Sequence, residues 1–493
     1  MKRNIYSNTV KTILICIGIV GLSSCEDFLK ENPRNFINPE SFYKKQADAE
    51  AGVTGIYEAV AARNFVNSVH VPNHNNSEET YPFNFSTYDI GYDFAADNVW
   101  ADRIWSQCYE GIKRANSFID VMEVQEVNFS ETLRDRLVGE AKFLRAFFYY
   151  VLVQYMGDVP LMTTATLTAE NFYPDRDPIT DVWAFVKNDL QEAIPVLPHK
   201  SGYSGGDVSR VNREAARVLL AKVLMIENNW TAAKVQVDSV MTYGGYDLEE
   251  NIANNWLTAN EHGKESIYEV DYNTAPFGNQ LFQFSGPPSF KHPVTGGNVG
   301  NLFNGIAFSH FFYNSFSDVD TRKTLFIDTA QHGGPPARFF TNKYFDPSVM
   351  ITTGANGPVN WVVFRYADVL LMKAEIENEI NTGPTVAAYD AINEVRDRAQ
   401  IPNLTAGLTY SQFLDSVFVE RQKELFYEGH RFFDLKRRGY TFLTEHVVPA
   451  REDMINFVGF GGTFTIYESD MLLAIPVQEL DANPNLEQNP INQ

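Results

Sequence analysis

Cysteine is rare in this chain, and its scarcity limits the chemistry available. Cys16, Cys25 and Cys108 are the three cysteines among 493 residues. Three isolated cysteines do not supply the paired spacing of a structural zinc site, and the sequence contains no zincin motif or phosphate-binding loop. We therefore expect no cofactor and no metal site of these types.

Basic residues are also in short supply. The chain has 40 Lys and Arg against 62 Asp and Glu, which gives a formal net charge of −22. A strongly acidic chain is unsuited to binding nucleic acid, and it argues against docking on a membrane through a basic surface patch. We therefore expect no nucleic-acid partner.

Long apolar runs are missing as well. A membrane-spanning helix takes roughly 20 apolar residues, whereas the N-terminal run from Ile13 to Leu22 is shorter. This run follows a positively charged start and precedes small residues, which is the order of a secretory signal peptide. We predict that residues 1–24 are the signal, and that its removal changes the net charge from −22 to −22 − 3 = −25.

The residues after this run point to an anchor. Leu22-Ser23-Ser24-Cys25 resembles the bacterial lipobox, which implies that Cys25 is lipidated and begins the mature chain. The polar residues 25–38 then form a tether. Because Cys16 leaves with the signal and Cys25 carries lipid, Cys108 has no partner for an intramolecular disulfide bond. We expect Cys108 to be a packed helical side chain.

Helical periodicity dominates the first half of the body. Ala215, Leu219 and Val223 recur at helical spacing, and a second periodic run begins at Trp230 after Asn228-Asn229. Small alanines and a tryptophan after the turn are typical of a tetratricopeptide (TPR) hairpin. Similar pairs are predicted at 41–62 with 97–121, 131–156 with 178–194, and 364–380 with 384–399.

The texture changes between the two helical parts. Residues 246–360 are rich in Gly, Pro, Asn and aromatic side chains, with short strands predicted in "ESIYEVDY" and "WVVF". The predicted fold is therefore mainly α: a TPR-like scaffold of helical hairpins with a long, loop-rich insertion. Its parts are 39–245, the insertion 246–360, and 361–493 with the final pair, an extra helix and a C-terminal segment.

Seven segments in order resemble the SusD/RagB family: "NVWADRIWSQCYEGIKRANSFID", "GEAKFLRAFFYYVLVQYMGDVPLM", "RVNREAARVLLAKVLM", "FRYADVLLMKAEIENE", "AINEVRDRAQIP", "ERQKELFYEGHRFFDLKRRG" and "LLAIPVQELDANPNLEQNP". The resemblance implies an outer-membrane lipoprotein, lipid-anchored and facing the exterior. It also implies a TPR-containing scaffold that captures glycans for a SusC-like TonB-dependent transporter; a few members handle peptides.

Most residues of these segments are predicted to be structural. Trp105, Tyr109, Ile112 and Asn116 recur at helical spacing and indicate a packed stripe. The charged residues of the segments are predicted to form ion pairs of the scaffold; they are Glu140, Arg145, Glu375, Arg396, Glu424, Glu428, Arg431 and Asp434.

Two motifs suggest enzyme chemistry, and both are better explained otherwise. "GYSGG" around Ser204 matches a nucleophile elbow, but it lacks the strand before it and the helix directly after it. His70 and His74 lie four residues apart, yet Pro72 between them disfavours the helix that would put both imidazoles on one face. We therefore predict no catalysis, although sequence alone does not exclude a glycosidase-like carboxylate pair.

A glycan site needs flat aromatic rings for the C–H face of a sugar and polar groups for its hydroxyl rim. The segment from His70 to Trp100 combines tyrosines with many Asn and Asp residues and shows little helical periodicity. Predicted stacking residues are Tyr81, Tyr88, Tyr92 and Trp100, predicted hydrogen-bonding residues are Asn73, His74 and Asn75, and further candidates in the insertion are Tyr272, Phe290 and Tyr313.

The function predicted from the sequence is capture of a glycan without catalysis and its delivery to a SusC-like transporter. Two alternatives remain open at this stage. A peptide-binding subunit of a RagB-like importer would favour contacts to the peptide backbone. A TPR adaptor would bind proteins along a concave helical groove.

Overall fold

Helical hairpins form most of the computed structural model, which describes residues 43–82, 98–165, 172–243, 245–273, 278–287, 291, 306–328, 338–349, 357–458 and 463–489. The first elements are α1 (Gln46–Ala61), α2 (Arg63–Asn75), β1 (Thr80–Pro82), α3 (Val99–Val124), α4 (Glu131–Met156), α5 (Ile179–Val196), α6 (Arg213–Ile226) and α7 (Trp230–Tyr243). Within the described ranges, no helix combines the length and apolar composition that a bilayer span requires.

The insertion contributes short elements, and helices resume after it. They are β2 (Ser266–Val270), α8 (Leu281–Ser285), β3 (Ile306–Phe308), α9 (His310–Asn314), β4 (Phe326–Asp328), β5 (Phe339–Thr341), β6 (Trp361–Arg365), α10 (Tyr366–Asn381), α11 (Val386–Arg398), α12 (Tyr410–Leu425), α13 (Arg431–Lys436), α14 (Tyr440–Val458) and α15 (Val477–Ala482). The prediction of a mainly α fold with a few short strands is confirmed.

The predicted hairpins pair as expected and stack on one another. Helices α4 and α5, α6 and α7, and α10 and α11 are neighbours, and α5 also packs on α6 and α7 on α10. Local chemistry fixes each turn. Asn228 has a φ of 56°, a left-handed conformation that asparagine tolerates, and the Asn212 side chain caps α6 by accepting from the Ala215 amide at 2.8 Å.

The strands form two antiparallel sheets. The predicted strands "ESIYEVDY" and "WVVF" are confirmed as β2 and β6, which pair with Ser266 opposite Arg365 and Val270 opposite Trp361. The second sheet has the order β1-β3-β5-β4. It carries an aromatic cluster in which Phe308, Phe326 and Phe426 pack together, with Phe326 and Phe426 stacked at 4.9 Å between ring centroids.

Helix α2 corrects the prediction for its segment. We expected little helix between His70 and Trp100 and expected Pro72 to disfavour one, but Pro72 lies inside the last turns of α2. Every residue from Phe65 to His74 in this helix is buried. Several of its buried residues are polar, among them His70 and His74, and polar residues beside a proline are typical of a loop, which is why the sequence prediction missed the helix.

The residues predicted to be structural are confirmed in that role. Trp105, Ile112 and Asn116 are buried, Tyr109 is partly buried, and Cys108 is a buried free cysteine. Each of the eight charged residues predicted as scaffold forms an ion pair. Examples are Arg145 with Asp189 at 2.7 Å and Arg396 with Glu420 at 2.6 Å.

Ten charged side chains, some from this set and some from other positions, form one buried network that joins distant parts of the chain. Its five cations are Arg322, Lys343, Arg365, Arg396 and Arg398, and its five carboxylates are Asp320, Glu265, Glu420, Glu424 and Glu428. Burial alone raises the pKa of Glu424, but Arg398 and Arg365 outweigh it and hold that pKa well below its usual range. These ten formal charges balance, as buried charges require.

Close helix packing in the scaffold depends on Gly111 of α3. A Cβ at this position would overlap the ring of Phe148 on α4, whereas a Cβ at Gly55 of α1 would meet nothing within 4 Å. We expect Gly111→Ala to lower the free energy of unfolding by about 1–3 kcal/mol through overpacking. The matched Gly55→Ala should raise it by up to about 1 kcal/mol, because alanine has the higher helix propensity. Urea unfolding of both variants measures the difference, and equal effects would contradict this description of the α3–α4 contact.

Candidate functional site

A cleft of about 290 Å³ opens beside the first helix of the scaffold. One wall is α1, through Thr54, Tyr57, Glu58 and Ala61, and the opposite wall is β2 with the residue that follows it. Its complete lining is Thr54, Tyr57, Glu58, Ala61, Gly206, Ser209, Arg210, Tyr268, Glu269, Val270 and Asp271. Three elements distant in the sequence therefore meet here.

The floor of the cleft comes from the "GYSGG" segment and the residues after it. The structure places Ser204 between two short 3₁₀ turns, Lys200–Gly202 and Gly205–Asp207, in the connection from α5 to α6. The prediction of an interhelical loop rather than a nucleophile elbow is confirmed. Gly205 has a φ of 61°, a left-handed conformation that glycine adopts without strain.

The β2 wall is shaped by a bulge. The register between β2 and β6 shifts at Tyr268 and Glu269. In a regular strand, adjacent side chains point to opposite faces, and a bulge redirects one of them. Tyr268, Glu269 and Asp271 all line the cleft, so this short stretch supplies a phenol and two carboxylates to one site.

Tyr268 presents an unused hydroxyl group. Its side chain is 3% exposed, and its ring packs edge to face on Phe143 at 5.6 Å between centroids. Tyr268 lines the cleft, and its hydroxyl has no hydrogen-bond partner among the described residues. Burial, with the nearby Asp271 and Glu140, raises its pKa, so the hydroxyl stays protonated and can donate.

One of the two carboxylate oxygens of Glu269 accepts hydrogen bonds from the described residues. Glu269 is 3% exposed, and its Oε2 accepts from the His262 amide at 3.1 Å and from Asn360 Nδ2 at 3.0 Å. Its Oε1 accepts no hydrogen bond from the described residues. Asp271 is about half exposed and contacts His262 Nε2 at 2.8 Å and Asn360 Nδ2 at 3.0 Å. His262 therefore contacts both carboxylates, Glu269 through its backbone amide and Asp271 through its imidazole.

Arg210 is the cation of the lining, and its charge is already used. It contacts Glu140 at 2.9 Å and Asp207 at 2.7 Å. Glu140 also accepts from the Tyr57 hydroxyl at 2.9 Å, which fixes the Tyr57 ring at the edge of the cleft. The excess negative charge of the cleft affects the titration of groups beside it. Burial, Glu269 and Asp271 together raise the pKa of the neighbouring Glu261 to about 7. Burial alone lowers the pKa of His262, but Asp271 and Glu269 outweigh it and raise that pKa.

The structure places most of the sequence-predicted site residues elsewhere. Asn73 and His74 of α2, and Tyr81 of β1, are at most 1% exposed. Asn73 Oδ1 accepts from the Phe432 amide at 3.2 Å, and His74 stacks on Tyr427 at 4.6 Å between centroids. Asn75, partly buried, ends α2, and its carbonyl accepts from Arg451. The side chains of Asn73, His74 and Tyr81 therefore contribute to packing rather than to an accessible surface.

The other predicted residues are distributed around the fold. Tyr272 lies beside the cleft, where its hydroxyl donates to the carbonyl of Ala61 at 3.0 Å. Trp100 is partly buried in the first turn of α3, with Arg103 over its ring at 5.0 Å. Tyr313 stacks on Phe339 at 3.5 Å and carries Lys323 at 5.0 Å from its centroid. Cys25, Tyr88, Tyr92 and Phe290 lie outside the described residues, so their roles stay predictions.

The helix through Pro72 brings His70 and His74 together after all. His74 Nε2 lies 3.4 Å from His70 Nδ1, and His74 Nδ1 lies 3.4 Å from Glu79 Oε2. Burial lowers the pKa of both histidines, so near neutral pH the two imidazoles are uncharged, and burial raises the pKa of Glu79. Among the described residues, no three or more His, Cys, Asp or Glu side chains are arranged to hold a metal ion.

His70 makes folding sensitive to acid. Burial lowers its pKa from 6.5 to about 3, with His430 adding to the shift and Glu428 opposing it. Below about pH 6.5, His70 therefore binds a proton in the unfolded chain but not in the folded chain. The contribution of His70 to stability is complete above about pH 6.5 and falls as the pH decreases. We expect His70→Asn to make the loss of unfolding free energy between about pH 7 and about pH 4 smaller by roughly 3 kcal/mol. Denaturant titrations across pH test this, and an unchanged slope would contradict it.

Comparison with known proteins gives a consistent family assignment. A family model described as "SusD family" matches residues 320–491, and a second, "Starch-binding associating with outer membrane", matches residues 27–225. SusD-like protein P25 of Formosa agariphila is 27% identical, over 97% of this chain and 98% of the relative.

Solved structures share the fold over nearly the whole chain. A SusD homolog from Bacteroides thetaiotaomicron superposes with a TM-score of 0.80 at 22% identity, covering 92% of this chain and 98% of that chain. A laminarin binding SusD-like protein superposes with a TM-score of 0.75 at 25% identity, covering 91% of this chain and 100% of that chain. The described scaffold and its insertion thus recur together in these proteins.

Proposed function

We propose that this chain, as a member of the SusD/RagB family, is an outer-membrane lipoprotein that binds glycans at the cell surface. In this proposal a glycan is held at the α1–β2 cleft and passed, chemically unchanged, to a SusC-type TonB-dependent transporter. The observation that carries the proposal is the cleft itself: part of its lining lies within residues 27–225, which the starch-binding model matches, and β2 adds the unpartnered polar groups of Tyr268 and Glu269.

The chemistry of the lining suits a sugar ring. A pyranose has hydroxyl groups that donate and accept around its rim and C–H groups on its faces. The Tyr268 hydroxyl can donate, Glu269 Oε1 can accept, and Ser209 can do either. Tyr57, Ala61 and Val270 supply apolar surface. A volume near the lower end of ligand pockets, about 300 Å³, fits one ring of a longer chain.

Aromatic residues that follow β1 in the sequence would extend this site. Tyr88 and Tyr92 lie between β1 and α3 in the sequence, and Trp100 lies in the first turn of α3. We propose that they form a stacking platform for further sugar rings, because stacking on rigid aromatic rings favours capture with little loss of side-chain entropy. Several weak contacts along a chain permit both retention and release.

The proposed anchor is a lipid on Cys25. One acyl chain gives only marginal membrane binding, and a stable anchor takes more than one; the family resemblance implies a triacylated cysteine. We expect Cys25→Ala to move the protein from the outer-membrane fraction to the soluble fraction of its native host. Membrane fractionation and mass spectrometry of the N-terminal peptide measure this. Unmodified Cys25 in the parent protein, or membrane retention of the variant, would contradict the anchor.

Glycan binding is tested with the chain that begins at Glu26, because residues from Tyr43 onward form one compact unit. We expect calorimetry against laminarin, starch and peptide panels to detect glycan binding, and Tyr268→Phe to weaken it by about threefold to tenfold through loss of one hydrogen bond. Tyr173→Phe removes the hydroxyl of a half-exposed tyrosine outside the cleft and should leave affinity unchanged.

The possible outcomes separate the candidate functions. Binding of peptides but of no glycan would favour the peptide importer, and binding of neither would favour a protein adaptor. Equal affinity of Tyr268→Phe and the parent would remove the cleft as the binding site. Chromatography of the recovered glycan tests the absence of catalysis, since a shortened product would contradict it.

A further inference from the structure

We propose that the α1–β2 cleft selects glycans that carry a protonated amine and disfavours glycans that carry uronate or sulfate groups. This inference rests on the proposed function, since it names the class of sugar that the same cleft takes. It is drawn from the imbalance between the carboxylates and the cation that line the cavity.

The lining itself is negatively charged. Glu58, Glu269 and Asp271 contribute three carboxylates, against the single guanidinium of Arg210. That guanidinium lies within ion-pair distance of Glu140 and Asp207, so it offers little positive charge to a ligand. Glu58 is largely exposed and has Arg114 at 3.2 Å. The uncompensated charge is therefore concentrated at Glu269 and Asp271 on the β2 wall.

The groups behind this wall neutralise it only in part. His262 contacts Asp271 at 2.8 Å and lies 3.9 Å from Glu269, so it brings at most one positive charge to the two carboxylates. Lys200 interacts electrostatically with Glu269, but its ammonium donates to the carbonyls of Gly263 and Ser266 and is not part of the lining. Asn360 donates to both carboxylates but is uncharged. A cationic ligand would supply the missing charge.

The hydrogen-bonding groups of the lining suit an ammonium group in particular. An ammonium has three donors and no acceptor. Glu269 Oε1 accepts no hydrogen bond from the described residues, Asp271 is half exposed, and the Tyr268 oxygen can accept a third bond. Glu269 is only 3% exposed to solvent, and attraction between opposite charges is stronger where water is excluded. The two independent unpartnered groups, one phenol and one carboxylate oxygen, distinguish this cavity from an ordinary acidic surface.

The same arrangement opposes acidic sugars. A uronate or sulfate group in the cleft would face the carboxylates of Glu58, Glu269 and Asp271. The whole chain, with a net charge of −22, also repels polyanions during approach. Charge thus favours one class of ligand and opposes another at the same place.

Three probes of equal length test the inference: a chitosan tetrasaccharide with free amines, its N-acetylated counterpart, and tetragalacturonate. Calorimetry at neutral pH and low salt should show at least about fivefold tighter binding of the chitosan probe than of the acetylated probe, since a charged hydrogen bond adds about 1 kcal/mol to a neutral one. Tetragalacturonate should bind more weakly than both. Added salt should reduce the preference for the amine.

Substitutions assign the preference to the cleft. We expect Glu269→Gln and Asp271→Asn each to bring the ratio of the two affinities towards one. The Asp271→Asn variant is included because Asp271 is half exposed, so its substitution disturbs folding less than substitution of the buried Glu269. Asp318→Asn, at a fully exposed carboxylate outside the cleft, should keep the parent ratio. A parent ratio of one, or a ratio unaffected by both cleft substitutions, overturns the inference while glycan binding stands. Failure of every glycan to bind overturns the proposed function as well.

Discussion

The buried network around Arg365 is the constraint on which the described structure depends. Its guanidinium contacts Glu265 and Glu428, each at 2.7 Å, and also Glu424. These contacts join the residue before β2, the end of β6 and the C-terminal end of α12 with the residues that follow it. Arg365 is 59 to 100 residues from these partners in the sequence. Removing one member would leave a buried charge without its partner, which is far more costly than losing an exposed ion pair. The network therefore fixes one arrangement of insertion and scaffold.

This constraint also positions the cleft. Glu265 directly precedes β2, and Ser266 stands opposite Arg365 in the β2–β6 pair. With that end of the strand held, the bulge at Tyr268 and Glu269 falls beside α1, and Asn360 before β6 supports Glu269 and Asp271 from behind. The two charged regions follow opposite rules. Carboxylates of the network are matched by cations within the protein, whereas Glu269 and Asp271 of the cleft share His262 as their ion-pair partner, and the proposed preference for amines rests on this imbalance.

The resemblance of the sequence to the SusD/RagB family and the physical description of the fold support each other. The segments that carry the resemblance include Arg396, Glu424, Glu428 and Arg431, and in the structure these residues form buried or partly buried ion pairs. Their role is to hold the scaffold together, so they identify the family without identifying the ligand. The lining of the cleft comes instead from residues outside those segments, except for Arg210, which begins one of them.

The sequence by itself determined the elements whose cause is local. The α6–α7 hairpin follows from its helical period and from asparagines at its turn and cap, and β2 and β6 follow from short apolar runs between breakers. Tertiary structure decided the rest. Helix α2 combines polar side chains and a proline with nearly complete burial, so its local composition predicts a loop, whereas packing places Asn73 and His74 in the interior. Tyr57 and Tyr268 became neighbours across more than two hundred residues of chain, because packing rather than local pattern brings α1 against β2.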